Sequence, residues 1–120
     1  MPLYREDLVY HALENLCNTA GVKVMYESVP DVSIDGEIWA RADCEGRMIM
    51  MPDSDCFDSA ARATLILGHE MGHILTGVDS TDDVAMRVRN EAICDLAGWL
   101  LHNLAEMIAS EKLMKETFGG

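Results

Sequence analysis

The chain has 120 residues, 49% of them hydrophobic, and a formal net charge of −12 at pH 7. This length supports one compact core and is too short for a second, so we predict a single domain over residues 1–120. Only 9 lysines and arginines stand against 21 acidic residues, which argues against direct nucleic-acid binding, because that needs clustered positive charge.

The sequence also bears on the compartment. No stretch approaches the roughly 20 apolar residues of a membrane span, and charges interrupt residues 1–16 before the apolar run of a signal peptide develops. The four cysteines, at positions 17, 44, 56 and 94, form no CxxC pair. We therefore expect a cytoplasmic protein with no membrane partner, whose cysteines are free thiols that pack as small hydrophobic residues.

The first predicted element is a helix over residues 5–20. Leu8, Ala12 and Leu16 recur at helical spacing on one face, and Gly21 follows at the position where a glycine commonly ends a helix. Three short β-prone stretches come next, at residues 22–29, 37–42 and 47–52, separated by turn-forming residues. They predict a small antiparallel sheet of three strands with an exposed edge, and Pro52 stops the third of these strands, RMIMMP.

Two further helices complete the prediction. Asp58 is a candidate N-cap for a buried helix that runs to Thr76 and ends at Gly77. Ser80 and Asp83 resemble a capping box that opens a long third helix with a break near Ser110. The order of helix, small sheet, helix and helix predicts an α+β domain.

The stretch LGHEMGHILTG, residues 67–77, carries the strongest chemical signal. In a helix, His69 and His73 lie one turn apart on the same face, so their imidazoles converge as two ligands of a tetrahedral zinc ion must. Glu70 is rotated by about 100° from His69, where it flanks the metal and suits a general base for an activated water. The motif therefore predicts a Zn²⁺ site with Glu70 as the catalytic residue.

The alternative is that HEMGH is only part of a buried helix. That alternative is costly, because two imidazoles and a carboxylate would lose their hydration without gaining partners. Gly68 and Gly72 each cost roughly 1 kcal/mol against alanine in a helix, so we expect another backbone to approach this helix closely. Cys94 and Gly98 are the small residues of the next helix that would permit such packing.

A catalytic zinc site needs a third protein ligand and an open fourth position. Glu91, on the third helix, is the first candidate, and Asp95 lies one turn further along the same face. There Asp95 would accept the second imidazole N–H of a ligating histidine. Asp79 is the rival third ligand, because it follows His73 by the six residues used when a chain turns sharply after the helix. His102, three turns from Glu91, is predicted to be an ordinary surface histidine.

The HEMGH core, the helix RATLILGHEMGHIL and the spacing from Glu91 to Asp95 together resemble the ImmA/IrrE group of zinc metallopeptidases over roughly residues 5–105. The resemblance implies a minimal zincin-like, gluzincin-type fold, with the sheet packed on the HExxH helix. It implies His69, His73 and Glu91 as zinc ligands, Glu70 as base and Asp95 behind the ligands. Members of this group are often linked to mobile elements, and some cleave a transcriptional repressor, which implies a regulatory protein target here.

Substrate binding is predicted less directly. In zinc peptidases of this architecture the substrate adds as a strand to the sheet edge, which we assign to RMIMMP, with Met48, Met50 or Met51 lining a pocket or simply filling the core. Candidates for stabilising the oxyanion are the side chains Tyr26, Arg87, Arg89 and His102.

The predicted function is a zinc-dependent endopeptidase with a protein or peptide substrate. The alternatives are a zinc-containing interaction domain that does not cleave, and a helical interaction module without metal. Glu70 favours the peptidase over the second alternative, because a purely structural zinc site has no use for a base and normally closes its fourth position.

Overall fold

A computed structural model of the chain describes residues 5–27, 33–34, 37–38, 40–52, 60–77 and 83–118. The helices are α1 (Arg5–Thr19), α2 (Ala60–Thr76) and α3 (Val84–Phe118), and the strands are β1 (Lys23–Glu27), β2 (Ser33–Ile34), β3 (Glu37–Ile38), β4 (Arg41–Asp43) and β5 (Met48–Pro52). The predicted α+β class with three helices is confirmed.

The sheet differs from the prediction. Its strand order is β1–β5–β4, with β1 parallel and β4 antiparallel to β5, while β2 and β3 form a separate antiparallel pair. The prediction of a purely antiparallel sheet is therefore wrong. The chain leaves β1, forms β2, β3 and β4, and returns to β5 in the direction of β1. Such a long connection is what parallel pairing requires, and residue patterning does not encode it.

The prediction that RMIMMP is an edge strand is also wrong, because β5 lies between the other two strands. Pro52, predicted to stop this strand, is its last paired residue, opposite Glu27, so its missing N–H interrupts the ladder only at its end. Ile49 and Met51 are fully buried in the core. Met48 and Met50 face the other way and, with Arg41, Ala42 and Asp43, line a shallow surface pocket of about 310 Å³.

The helix ends follow the expected chemistry with two corrections. Gly21 adopts φ +79° just after α1, as predicted for a residue that ends a helix. Asp83, predicted as the acidic residue of a capping box that begins at Ser80, is instead itself the N-cap of α3, because its Oδ1 accepts the Met86 amide N–H at 3.1 Å. The predicted break near Ser110 is absent, since α3 continues to Phe118 and no glycine or proline occurs between residues 98 and 119. The predicted caps Asp58 and Ser80 lie outside the described residues.

The main core joins α1 to the inner face of the sheet and to both other helices. Its members are buried apolar side chains: Leu8, Val9, Ala12, Leu13, Cys17, Val22, Ile49, Met51, Leu67, Met71, Ile74, Ala105 and Ala109. Cys17 and Cys94 are free and buried, and Cys44 is free and half-buried, whereas Cys56 lies outside the described residues. Among the described residues, no helix is both long and apolar enough to cross a membrane.

Glycine contacts set the distance between α2 and α3. A Cβ atom on Gly68 would lie 3.0 Å from the Gly98 carbonyl oxygen, and one on Gly72 would lie 2.8 Å from the Cys94 carbonyl oxygen. From Gly68 to Gly72 the contact moves forward along α2, while its partner on α3 moves back from Gly98 to Cys94. The two helices therefore run antiparallel. The predicted close approach of a second backbone is confirmed, and it places HEMGH against residues 91–98.

We expect Gly98→Ala to lower the free energy of unfolding by about 1–3 kcal/mol, because the new methyl group would meet backbone rather than a flexible side chain. It would lie 2.9 Å from the His69 amide nitrogen and 3.0 Å from the Gly68 carbonyl carbon. Urea denaturation followed by circular dichroism measures the change. At an uncrowded helix position the same exchange raises stability by roughly 0.5–1 kcal/mol, so the sign is diagnostic.

The matched control is Asn103→Ala, at an exposed position on the same helix, which should keep or slightly raise the free energy of unfolding. A Gly98→Ala chain that is more stable than the parent would contradict the close contact between α2 and α3.

Candidate metal centre

Three side chains from two helices converge beside the glycine contacts. His69 and His73 lie one turn apart on α2, and Glu91 lies in the first third of α3. The Nε2 atom of His69 is 2.8 Å from Glu91 Oε2, and the Nε2 atom of His73 is 3.6 Å from Glu91 Oε1. One ligand atom from each residue can be chosen so that all lie within 4.8 Å of one another.

A group this compact could hold a metal ion. Zinc with bonds of about 2.0–2.1 Å to nitrogen and oxygen holds neighbouring ligand atoms roughly 3.3 Å apart, and the separations of the two histidines from the two oxygens of Glu91 lie on either side of this value. Two imidazole nitrogens and one carboxylate oxygen are also a ligand set that zinc accepts. The side chains of His73 and His69 are only 13% and 21% exposed, whereas that of Glu91 is 49% exposed. The cluster therefore opens toward solvent on the α3 side.

Asp95 orients His69 from behind. Its Oδ1 lies 2.7 Å from His69 Nδ1, on the opposite side of the ring from Glu91. An imidazole that donates Nδ1–H to a carboxylate has its Nε2 lone pair available for a metal, and its ring is held in place. The predicted pair of Glu91 and Asp95, one helical turn apart on α3, is thus brought to the two nitrogens of the same histidine.

Glu70 is half-buried on α2 next to the cluster. Burial raises the pKa of its carboxyl group from 4.5 to about 7, with a lowering effect from His73 and a further rise from the negative charge of Glu91. A carboxyl group of this kind exchanges a proton near neutral pH. Cys94 lies in the same region, and burial, followed by the charge of Glu91, raises the pKa of its thiol.

The remaining candidates are the rival third ligand and the side chains predicted to stabilise the oxyanion. Asp79, the rival third ligand, lies outside the described residues. Arg89 is exposed and lies two positions before Glu91, about 200° around α3, so it faces away from the cluster. Arg87 lies one turn before Glu91 on the same face. The hydroxyl of Tyr26 donates to Glu14 and also contacts the Tyr10 hydroxyl, so it is engaged with α1.

His102 departs from the prediction of an ordinary surface histidine. Its side chain is only 15% exposed, and its buried Nδ1 has no hydrogen-bond partner among the described residues. Together with Val9, Ala61, Thr64, Leu65, Trp99 and Glu106 it lines a pocket of about 280 Å³ between the three helices. Helical spacing in the sequence could have indicated this pocket. Leu65 precedes His69 by one turn on α2, and Trp99 follows Asp95 by one turn on α3, so the pocket lies next to the cluster along the same two helices.

Comparisons of the chain with protein-family models, with curated proteins and with solved structures found no match. The chemistry of the cluster is therefore inferred from its own residues.

If His69, His73 and Glu91 bind one zinc ion, Glu91→Ala should weaken zinc binding by at least about tenfold, because it removes a charged ligand. Competition with a chromophoric chelator at fixed pH measures the affinity. Glu111→Ala is the matched control, since it removes the same charge from an exposed position on the same helix. Equal affinities of the two variants would contradict the assignment of Glu91.

Proposed function

We propose that this chain is a zinc-dependent endopeptidase. The observation that supports it best is the convergence of His69, His73 and Glu91 from two helices, with Glu70 beside them and Asp95 behind His69. Three protein ligands leave the fourth tetrahedral position for water or substrate, which is the arrangement of catalytic rather than structural zinc sites. Bound zinc would polarise a carbonyl group and lower the pKa of a coordinated water to about 7.

The protein groups would then handle the proton. Glu70 would accept the proton of the attacking water and deliver it to the departing amine nitrogen, so that the peptide bond breaks without release of a free amide anion. Asp95 would hold the His69 ring in one orientation during this exchange. Neither role requires movement of α2 against α3, whose separation is fixed by backbone contacts at Gly68 and Gly72.

The sheet offers a place for an extended substrate. Because β5 is central, the sheet has its edges at β1 and β4, so we assign the substrate to β4 rather than to the RMIMMP strand. Cys44, directly after β4, donates its thiol proton to the His73 backbone carbonyl at 3.4 Å, so this end of β4 lies against the active-site helix. A peptide that added as a strand to β4 would form main-chain hydrogen bonds beside the cluster. We propose that this peptide belongs to a regulatory protein such as a repressor, and this part of the proposal rests only on the resemblance to the ImmA/IrrE group.

Glu70→Gln separates cleavage from metal binding. The variant keeps the size of the side chain and all three proposed ligands, so it should retain zinc, but it cannot accept a proton and should lose about 10²–10⁴-fold in cleavage rate. The parent, the variant and a control chain are each loaded with zinc and incubated with an extract of the source cells, and newly formed protein N-termini are quantified by mass spectrometry. Glu116→Gln, at an exposed position far along α3, is the matched control.

Termini that appear with the parent chain and the control but not with Glu70→Gln would support the peptidase. Identical sets from all three proteins would favour a zinc-containing domain that binds without cleaving. Less than about half an equivalent of zinc after purification without chelator would count against both, because a site with three protein ligands should retain its metal.

A further inference from the structure

The outer face of α3 carries a seven-residue apolar repeat that the candidate metal centre does not use. Its members are Met86, Ile93, Leu100, Met107 and Met114. Leu100 is 63% exposed, Met107 69% and Met114 61%, and Met86 is also exposed, whereas Ile93 is half-buried. An apolar residue in every seventh position over four intervals supplies one of the two apolar positions per heptad through which long helices pair.

This repeat cannot be covered by the packing that buries the other side of α3. At about 100° per residue, Leu100 lies roughly 160° around the helix from Gly98 and 140° from Ala105, which are both buried against the domain. Leu96 and Leu104, 63% and 43% exposed, flank Leu100 on either side and widen the apolar stripe. We call this surface, from Met86 to Met114, the outer stripe.

We propose that the outer stripe is the interface of a two-fold homodimer in which the α3 helices of two copies pack antiparallel, with Leu100 on the symmetry axis. The stripe is self-complementary in this register. Met86 comes level with Met114 of the second copy, and Ile93 with Met107. Leu96 comes level with Leu104. A two-fold axis requires such matching, because each residue of one surface must suit the surface that it meets.

Charge supports the antiparallel direction. In the same register Arg89 comes level with Glu111 of the second copy, which gives two opposite-charge contacts per dimer. Glu111 also lies 3.3 Å from Lys115 on its own helix, and both side chains are well exposed, so an arginine can join this pair. A parallel pair of helices would instead place Arg89 beside Arg89 and Glu111 beside Glu111. Like charges at such positions are used to exclude wrong pairings.

The dimer leaves the candidate metal centre accessible. Glu91 lies about 180° around α3 from Leu100 and Asp95 about 140°, so both face away from the second copy. Each copy would therefore keep a complete cluster, and dimerisation does not depend on whether the cluster binds zinc or cleaves peptides.

Sedimentation equilibrium of the full chain tests the interface. We expect a species of twice the 13.3 kDa chain mass at high micromolar concentration, dissociating on dilution. Leu100→Glu should raise the dissociation constant by more than about 100-fold, because it buries a carboxylate against its own copy. The control Lys112→Glu makes the same helix more acidic about 120° from Leu100 and should leave the constant unchanged. A parent chain that stays monomeric throughout would overturn the proposal.

Charge exchange tests the register. Arg89→Glu alone and Glu111→Arg alone should each raise the dissociation constant by about tenfold, and the two changes combined in one chain should restore it, because the contacts are re-formed with reversed charge. Additive weakening in the double variant would overturn the Arg89–Glu111 pairing.

Cross-linking tests the direction of the helices. Leu100→Cys should form a disulfide-linked dimer on mild oxidation, since residue 100 faces itself across the axis. Met107→Cys should not, because it faces Ile93, while a mixture of Met107→Cys and Ile93→Cys chains should give the mixed dimer. The parent chain, with its own cysteines, is the background control. Cross-linking of Met107→Cys alone with the efficiency of Leu100→Cys would overturn the antiparallel arrangement.

Discussion

The close approach of α2 and α3 is the constraint on which the candidate site depends. At Gly68 and Gly98 the two backbones are separated by less than a side chain requires, and Gly72 meets the Cys94 carbonyl in the same way. Any larger residue at these points would push the helices apart. The carboxylate oxygens of Glu91 and Asp95 reach opposite nitrogens of His69 only because the helix axes are this close, so the glycines set the geometry of the cluster although they carry no functional groups.

The close packing of α2 and α3 also lets a short chain hold a polar cluster beside its apolar core. Leu67, Met71 and Ile74 join one side of α2 to the core, whereas His69 and His73 lie on another side, next to α3. These polar side chains lie between α2 and α3, where each imidazole has a carboxylate oxygen within 4 Å. Burying these imidazoles without such partners would destabilise the fold, because their nitrogens would lose hydration without gaining a hydrogen bond.

Much of the site could be predicted from the sequence, because helical periodicity is local. The one-turn spacing of His69 and His73, and of Glu91 and Asp95, fixes which side chains share a face, and the glycines indicated where the faces meet. The sheet could not be predicted in the same way. Its order depends on the path of the chain between β1 and β5, and the apolar run of β5 fits a central strand as well as a buried edge. The burial of His102 was missed because it depends on contacts of α3 with both other helices.

The most direct measurement is an anomalous difference map of zinc-loaded crystals, recorded on both sides of the zinc absorption edge. We expect one peak per chain, about 2.0–2.1 Å from the Nε2 atoms of His69 and His73 and about 2.0–2.2 Å from a carboxylate oxygen of Glu91, with Asp95 still hydrogen-bonded to His69 Nδ1. A peak held by His69, His73 and Asp79, with Glu91 turned away, would contradict the central claim that packing of α3 against α2 completes the site.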